Sequence, residues 1–81
     1  MWGNDPNTAL SDVVQHSNGN YYYVDSRYTY DHGYETMVFS CDDKGEVSSW
    51  SDHYAETYAS IEAMQTRHAE IIANLEKYVA E

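Results

Sequence analysis

The stretch Tyr34-Glu35-Thr36-Met37-Val38-Phe39-Ser40-Cys41 constrains the fold more than any other part of the chain. Its aromatic and β-branched residues favour an extended strand. Turn signals bound it on both sides, Asp31-His32-Gly33 before and Asp42-Asp43-Lys44-Gly45 after. A strand this apolar belongs inside a sheet, with a partner on each edge. Met37, Phe39 and Cys41 share one face, and Thr36, Val38 and Ser40 the other. The bulk of Met37 and Phe39 assigns their face to a packed helix. Gly45 suits the left-handed position of a bulged hairpin loop.

The flanking segments supply the partners. Residues 21–30 read as a strand with Tyr22, Val24, Ser26, Tyr28 and Tyr30 on the core side. Tyr21, Tyr23, Asp25, Arg27 and Thr29 then form a wet face. Residues 46–58 are long for one strand, and Ser48-Ser49 and Ser51-Asp52 are weak points. A strand near 46–50, a kink and a second extended piece near 53–58 are expected. Residues 60–80 read as a helix capped by Ser60, with Glu62 in its first turn. Ile61, Met64, His68, Ile71, Leu75 and Val79 recur at three and four. Burying the five aliphatic ones at ~1.5–3 kcal/mol each would fix the helix on a sheet.

The first twenty residues admit two readings. Asp5-Pro6 looks like a helix start, and Ala9, Leu10, Val13 and Val14 form a narrow apolar stripe, which predicts a short helix near 6–15. The rival is a hairpin pairing Val13–His16 with Tyr21–Val24 across Asn18-Gly19. The expectation is a single α+β domain over residues 1–81. It has a three- to four-stranded antiparallel sheet, a C-terminal helix on one face and a short N-terminal helix.

Charge narrows the function. Fourteen Asp and Glu against four Lys and Arg give a net charge of −10. Direct nucleic-acid binding needs Lys and Arg on phosphates, and an anionic membrane surface needs them too; both are disfavoured. A partner with a basic surface is favoured. No apolar run approaches the ~20 residues of a bilayer span, and no signal peptide is evident. With one cysteine, which forms no internal disulfide, a cytoplasmic location is expected.

No motif names a reaction. The four histidines and Cys41 show no metal-ligand spacing, and Asp42-Asp43-Lys44-Gly45 lacks the pattern of a calcium loop. No metal, cofactor or catalytic residue is assigned, and an enzyme is not expected. His68 reads as a core-edge histidine bonded to a strand carbonyl or a tyrosine hydroxyl, and Cys41 as packing. The middle of the chain is the most acidic and the most aromatic part, with eight of the nine tyrosines in residues 21–59. A partner-binding face is therefore expected from Tyr21, Tyr23, Asp25, Asp31, Glu35, Asp42, Asp43, Glu46, Asp52 and Glu56. Carboxylates spread over a sheet can imitate a row of phosphates, and tyrosines add rigid contact area.

Some of these segments also carry a resemblance. They are the Glu35-Thr36-Met37-Val38-Phe39 strand, the Asp43-Lys44-Gly45-Glu46-Val47 turn, Trp50-Ser51 and the Arg67-His68-Ala69-Glu70 helix step. Together they resemble small phage- and prophage-encoded proteins of Gram-positive bacteria, over roughly residues 34–75. Those proteins have an E-T-M-V-F strand, a D-x-x-G turn, a W-S pair and a final helix with an H-E step. Here the helix step is His68-Ala69-Glu70. The resemblance implies a phage accessory protein in the host cytoplasm. With the charge, it makes an inhibitor of a host defence protein, anti-CRISPR or anti-restriction in type, the first expectation. Its partner would be a nucleic-acid enzyme with a basic surface, met by a monomer or homodimer. The alternatives are a self-associating accessory protein that uses the tyrosine face, and a small-ligand binder with a pocket near Arg27 or Arg67.

Overall fold

A computed structural model describes residues 9–79. Four strands form one antiparallel sheet in chain order: β1 Leu10–Gln15, β2 Tyr21–Thr29, β3 Gly33–Cys41 and β4 Tyr54–Tyr58. Helix α1, Ile61–Ala73, lies across one face of the sheet, and a 3-10 turn follows at Leu75–Lys77. The α+β architecture read from the sequence is the observed one. Among the described residues no helix is long and apolar enough to cross a membrane.

The N-terminal helix is the first correction. Residues 10–15 are strand β1, paired with β2 in a register that joins Val13 to Tyr23 and Val14 to Tyr22. The hairpin reading holds, with a different turn. His16 and Asn20 close a three-residue loop in which the Gly19 N–H donates to the His16 carbonyl at 2.8 Å and Gly19 takes a positive φ of 93°. Without β1, the backbone groups along one edge of β2 would lack partners. The Asp5-Pro6 cap lies outside the described residues.

Register sets the second correction. β2 pairs β3 with Tyr23 opposite Phe39, Val24 opposite Val38 and Ser26 opposite Thr36. Directly opposed residues share a face. Tyr22, Val24, Thr36 and Val38 therefore look toward the helix, and Met37 and Phe39 look away from it. The core is Tyr22, Val24, Val38, Met64, Ile71, Leu75 and Val79, all nearly or fully buried. Its sheet side combines one large ring with small branched residues, which leaves room for Met64 and Ile71. Tyr30, expected on the core side, is instead 91% exposed in the β2–β3 turn.

The other departures are local. The 46–50 strand shrinks to one bridge, Val47 opposite Cys41. The helix ends at Asn74, whose side-chain amide donates to the Glu70 carbonyl at 2.9 Å. Leu75 and Val79 still reach the core from the turn beyond it. Ser60 caps the helix as read, accepting from the Ala63 N–H at 3.2 Å.

Candidate binding face

The helix covers one side of the sheet, and among the described residues no helix covers the other. On that open face the register aligns Val13, Tyr23 and Phe39 across β1, β2 and β3, and Asp25 with Met37 beside them. The chain between β3 and β4 bends back over part of it. A Cβ added to Gly45 would lie 2.8 Å from Val13 Cγ2, so this loop passes close above β1. Farther along the same loop, Trp50 meets Phe39 edge-on, with ring centres 5.0 Å apart. Phe39 is buried by this contact, while Trp50 itself stays 72% exposed.

The Asp42–Glu46 turn has the bulged form expected for it. The Gly45 N–H donates to the Asp42 carbonyl at 3.0 Å, and Gly45 has φ of 85°. Oδ1 of Asp42 accepts from the N–H groups of Lys44 and Glu46, each at 2.9 Å. One carboxylate oxygen thus holds the turn in shape, and Asp43 and Glu46 stand exposed beside it.

The ten expected contact residues separate into groups. Tyr21, Tyr23, Asp25 and Glu35 lie together on the open face. Asp42, Asp43 and Glu46 sit in the turn that folds back at one end, and Asp31 is exposed in the β2–β3 turn at the other. Asp52 is exposed in the loop before β4. Glu56 does not join them, because its register partner Thr36 is on the helix side. Sequence reasoning missed Met37, Phe39 and Trp50, which line the same face as Tyr23. Assigning one face to β2 and carrying it across the turn by register would have found the first two.

A groove of about 340 Å³ runs along this face. Tyr23, Met37, Phe39 and Trp50 form its apolar part, and Asp25, Arg27 and Glu35 its polar part. Arg27 grips Asp25 with two bonds of 2.8 Å, from Nε to Oδ2 and from Nη2 to Oδ1. Ser11 also donates to Asp25, at 3.0 Å. Glu35, the cross-strand partner of Arg27, has no ion pair among the described residues.

The helix side carries two polar clusters instead. Arg67 donates from Nε to Oε2 of Glu56 at 2.8 Å and from Nη2 to Oε1 at 3.0 Å. Tyr54 donates its hydroxyl to the same carboxylate. Arg67 first, and Tyr54 after it, hold the Glu56 carboxyl at about 2 against an ordinary value of 4.5, opposed by partial burial. A carboxyl depressed by folding stabilises above its unfolded value, and that contribution drains as pH falls from 4.5 toward 2. Glu56→Gln is expected to cost about 1–2 kcal/mol at neutral pH, discounted because the pair is partly exposed. The deficit should vanish near pH 2, which urea unfolding of both proteins across this range checks.

The second cluster contains the one histidine of the apolar stripe. His68 is 5% exposed. Its Nε2 lies 2.7 Å from Oδ2 of Asp12 on β1, and its Nδ1 2.6 Å from the Ser26 hydroxyl. Ser26 is bonded in turn to Thr36. The partners are a carboxylate and a serine hydroxyl rather than the strand carbonyl or tyrosine hydroxyl expected. The residue types are those of a serine–histidine–aspartate triad, but the two ring nitrogens are exchanged relative to it, and Ser26 is fully buried beneath the helix and offers no substrate an approach. The cluster instead ties the helix to β1, β2 and β3.

Cys41 ends β3, half-buried. Burial, then the Asp42 charge, push its thiol pKa up, which leaves less reactive thiolate. Among the described residues no group of three or more His, Cys, Asp or Glu is placed to hold a metal ion. No protein-family model matches the chain, and no curated protein or solved structure does either.

Proposed function

We propose that this protein is a phage-encoded inhibitor that acts in the host cytoplasm by docking its open sheet face on a basic, nucleic-acid-binding surface of a host defence protein. One observation carries the reading. The face that no described helix covers presents Tyr21, Tyr23, Met37 and Trp50, with acidic turns at its ends. Apolar and aromatic surface rimmed by charge is the make-up of a protein interface. The body that carries it measures 37 × 21 × 19 Å between Cα extremes. That length is close to one turn of duplex DNA, roughly 34–36 Å. A rod of this size with carboxylates at both ends suits a groove made for a duplex.

Binding to a CRISPR effector or a restriction enzyme, followed at rising salt, tests the reading. Affinity is expected to fall steeply between roughly 50 and 200 mM salt. The triple variant Asp42→Asn, Asp43→Asn, Glu46→Gln should weaken binding about tenfold or more. The amide introduced by Asp42→Asn keeps an oxygen for the turn. Salt-independent binding, or an unchanged triple variant, contradicts the reading. Self-association through the same face is the second reading, favoured by the exposure of Trp50 and Val13, 72% and 44%. A stable dimer at micromolar concentration in light scattering would select it.

A further inference from the structure

We propose that the groove of the open face is an anchor site for an arginine side chain presented by the partner, an inference that rests on the binding-face reading above. Three observations lead to it. The groove, about 340 Å³, is near the lower bound of the ~300–1,000 Å³ typical of small-molecule sites. It takes one long side chain more readily than a nucleotide.

Its charge is unbalanced in one sense. Arg27 is turned to Asp25 by two 2.8 Å bonds and spends its guanidinium there. Glu35, beside it on β3, faces the same groove with no ion pair among the described residues. With two carboxylates and one guanidinium in the lining, a cation entering the groove supplies the missing charge, whereas an anion would meet a net negative site.

The rest of the lining fits a flat cation on an apolar stem. Met37 offers a floor for methylenes next to the edge of the buried Phe39, and Trp50 leaves most of its indole uncovered beside them. A guanidinium stacks on such a face, is weakly hydrated and pairs with a carboxylate in a fork, which favours arginine over lysine. A second copy of the chain is a poorer occupant: each copy carries a net charge of −10 and keeps its own Arg27 on Asp25.

The test is an NMR titration of the full chain with a blocked Gly-Ser-Arg-Ser-Gly peptide, its lysine version and its citrulline version. Trp50→Phe identifies the Trp50 indole signal. The arginine peptide should give saturable shifts at Met37, Phe39 and the Trp50 indole. Citrulline, which keeps the shape and loses the charge, should bind about tenfold more weakly, and lysine several-fold more weakly. Glu35→Gln should weaken arginine binding roughly three- to tenfold, with the remaining spectrum unchanged. Equal binding of citrulline and arginine, shifts confined to the Asp42–Glu46 turn, or the same shifts on concentrating the protein alone would each overturn the anchor site. If the peptide fails while a defence protein still binds in a salt-dependent manner, the anchor falls and the face stands. If the peptide seats but the triple variant binds defence proteins as the parent does, the acidic-face reading falls instead.

Discussion

Ile71→Ala is expected to lower the free energy of unfolding by about 2–5 kcal/mol and the melting temperature by roughly 10–30 °C. Ile71 is fully buried and touches the centre of the core with Tyr22, Val24, Val38, Leu75 and Val79. A domain of this size has on the order of 4–12 kcal/mol in total. The cavity would remove a large part of that, because the β2–β3 pair beneath is held by its hydrogen-bond ladder and closes in little. Ile72→Ala, at a half-buried neighbour, should cost under about 1.5 kcal/mol. Equal losses at the two positions would mean that the helix does not sit as described. Thermal and urea unfolding of both variants make the comparison.

The second large effect belongs to His68. His68→Leu removes the group that joins Ser26 to Asp12 and leaves two buried hydroxyls, Ser26 and Thr36, with only each other. A loss of about 1–3 kcal/mol is expected. Asp12 contributes little to it, since its side chain is 54% exposed and water replaces the imidazole. The informative variant carries Ser26→Ala, Thr36→Val and His68→Leu together. With every buried member replaced by an apolar group and Asp12 left to water, no buried polar atom is stranded, and the combined loss should be smaller than the sum of the single losses by about 0.5–3 kcal/mol. Additive losses would show that the hydrogen bonds act independently.

Much of this architecture can be read directly. The β2 and β3 segments are marked by aromatic and β-branched content between turn residues, and α1 by its spacing and by Ser60. The bulged turn at Gly45 follows from its sequence. What fails is whatever depends on contacts between distant segments. The stripe Ala9, Leu10, Val13, Val14 fits a helix and half fits a strand. The free edge of β2 decides between them, and that edge is invisible within residues 1–19. Size alone places Met37 and Phe39 toward the helix, while alternation along β2 places Tyr21 and Tyr23 on the wet face. A turn centred on Asp31 pairs odd positions with odd ones, so the two assignments are incompatible.

The candidate site shows the same division. Its acids and tyrosines are legible as composition, and Asp25, Glu35, Tyr21 and Tyr23 do share a face. Glu56 leaves the set because its register partner Thr36 puts it on the helix side, where Arg67, eleven positions away, takes its carboxylate. Trp50 enters because the loop after β3 turns back over the sheet, and no local pattern encodes that return. The His68–Asp12 pair spans fifty-six positions and lies equally beyond local reading.

The central claim is that the open face, and not the helix side, meets the partner. An NMR footprint of the isotope-labelled chain bound to a CRISPR effector or restriction enzyme tests it most directly. Signals from Tyr21, Tyr23, Glu35, Met37 and Trp50 should shift or broaden on binding, and those of Glu62, Glu70 and Glu76 should stay where they are. A footprint on the helix, with the open face unchanged, would contradict the account.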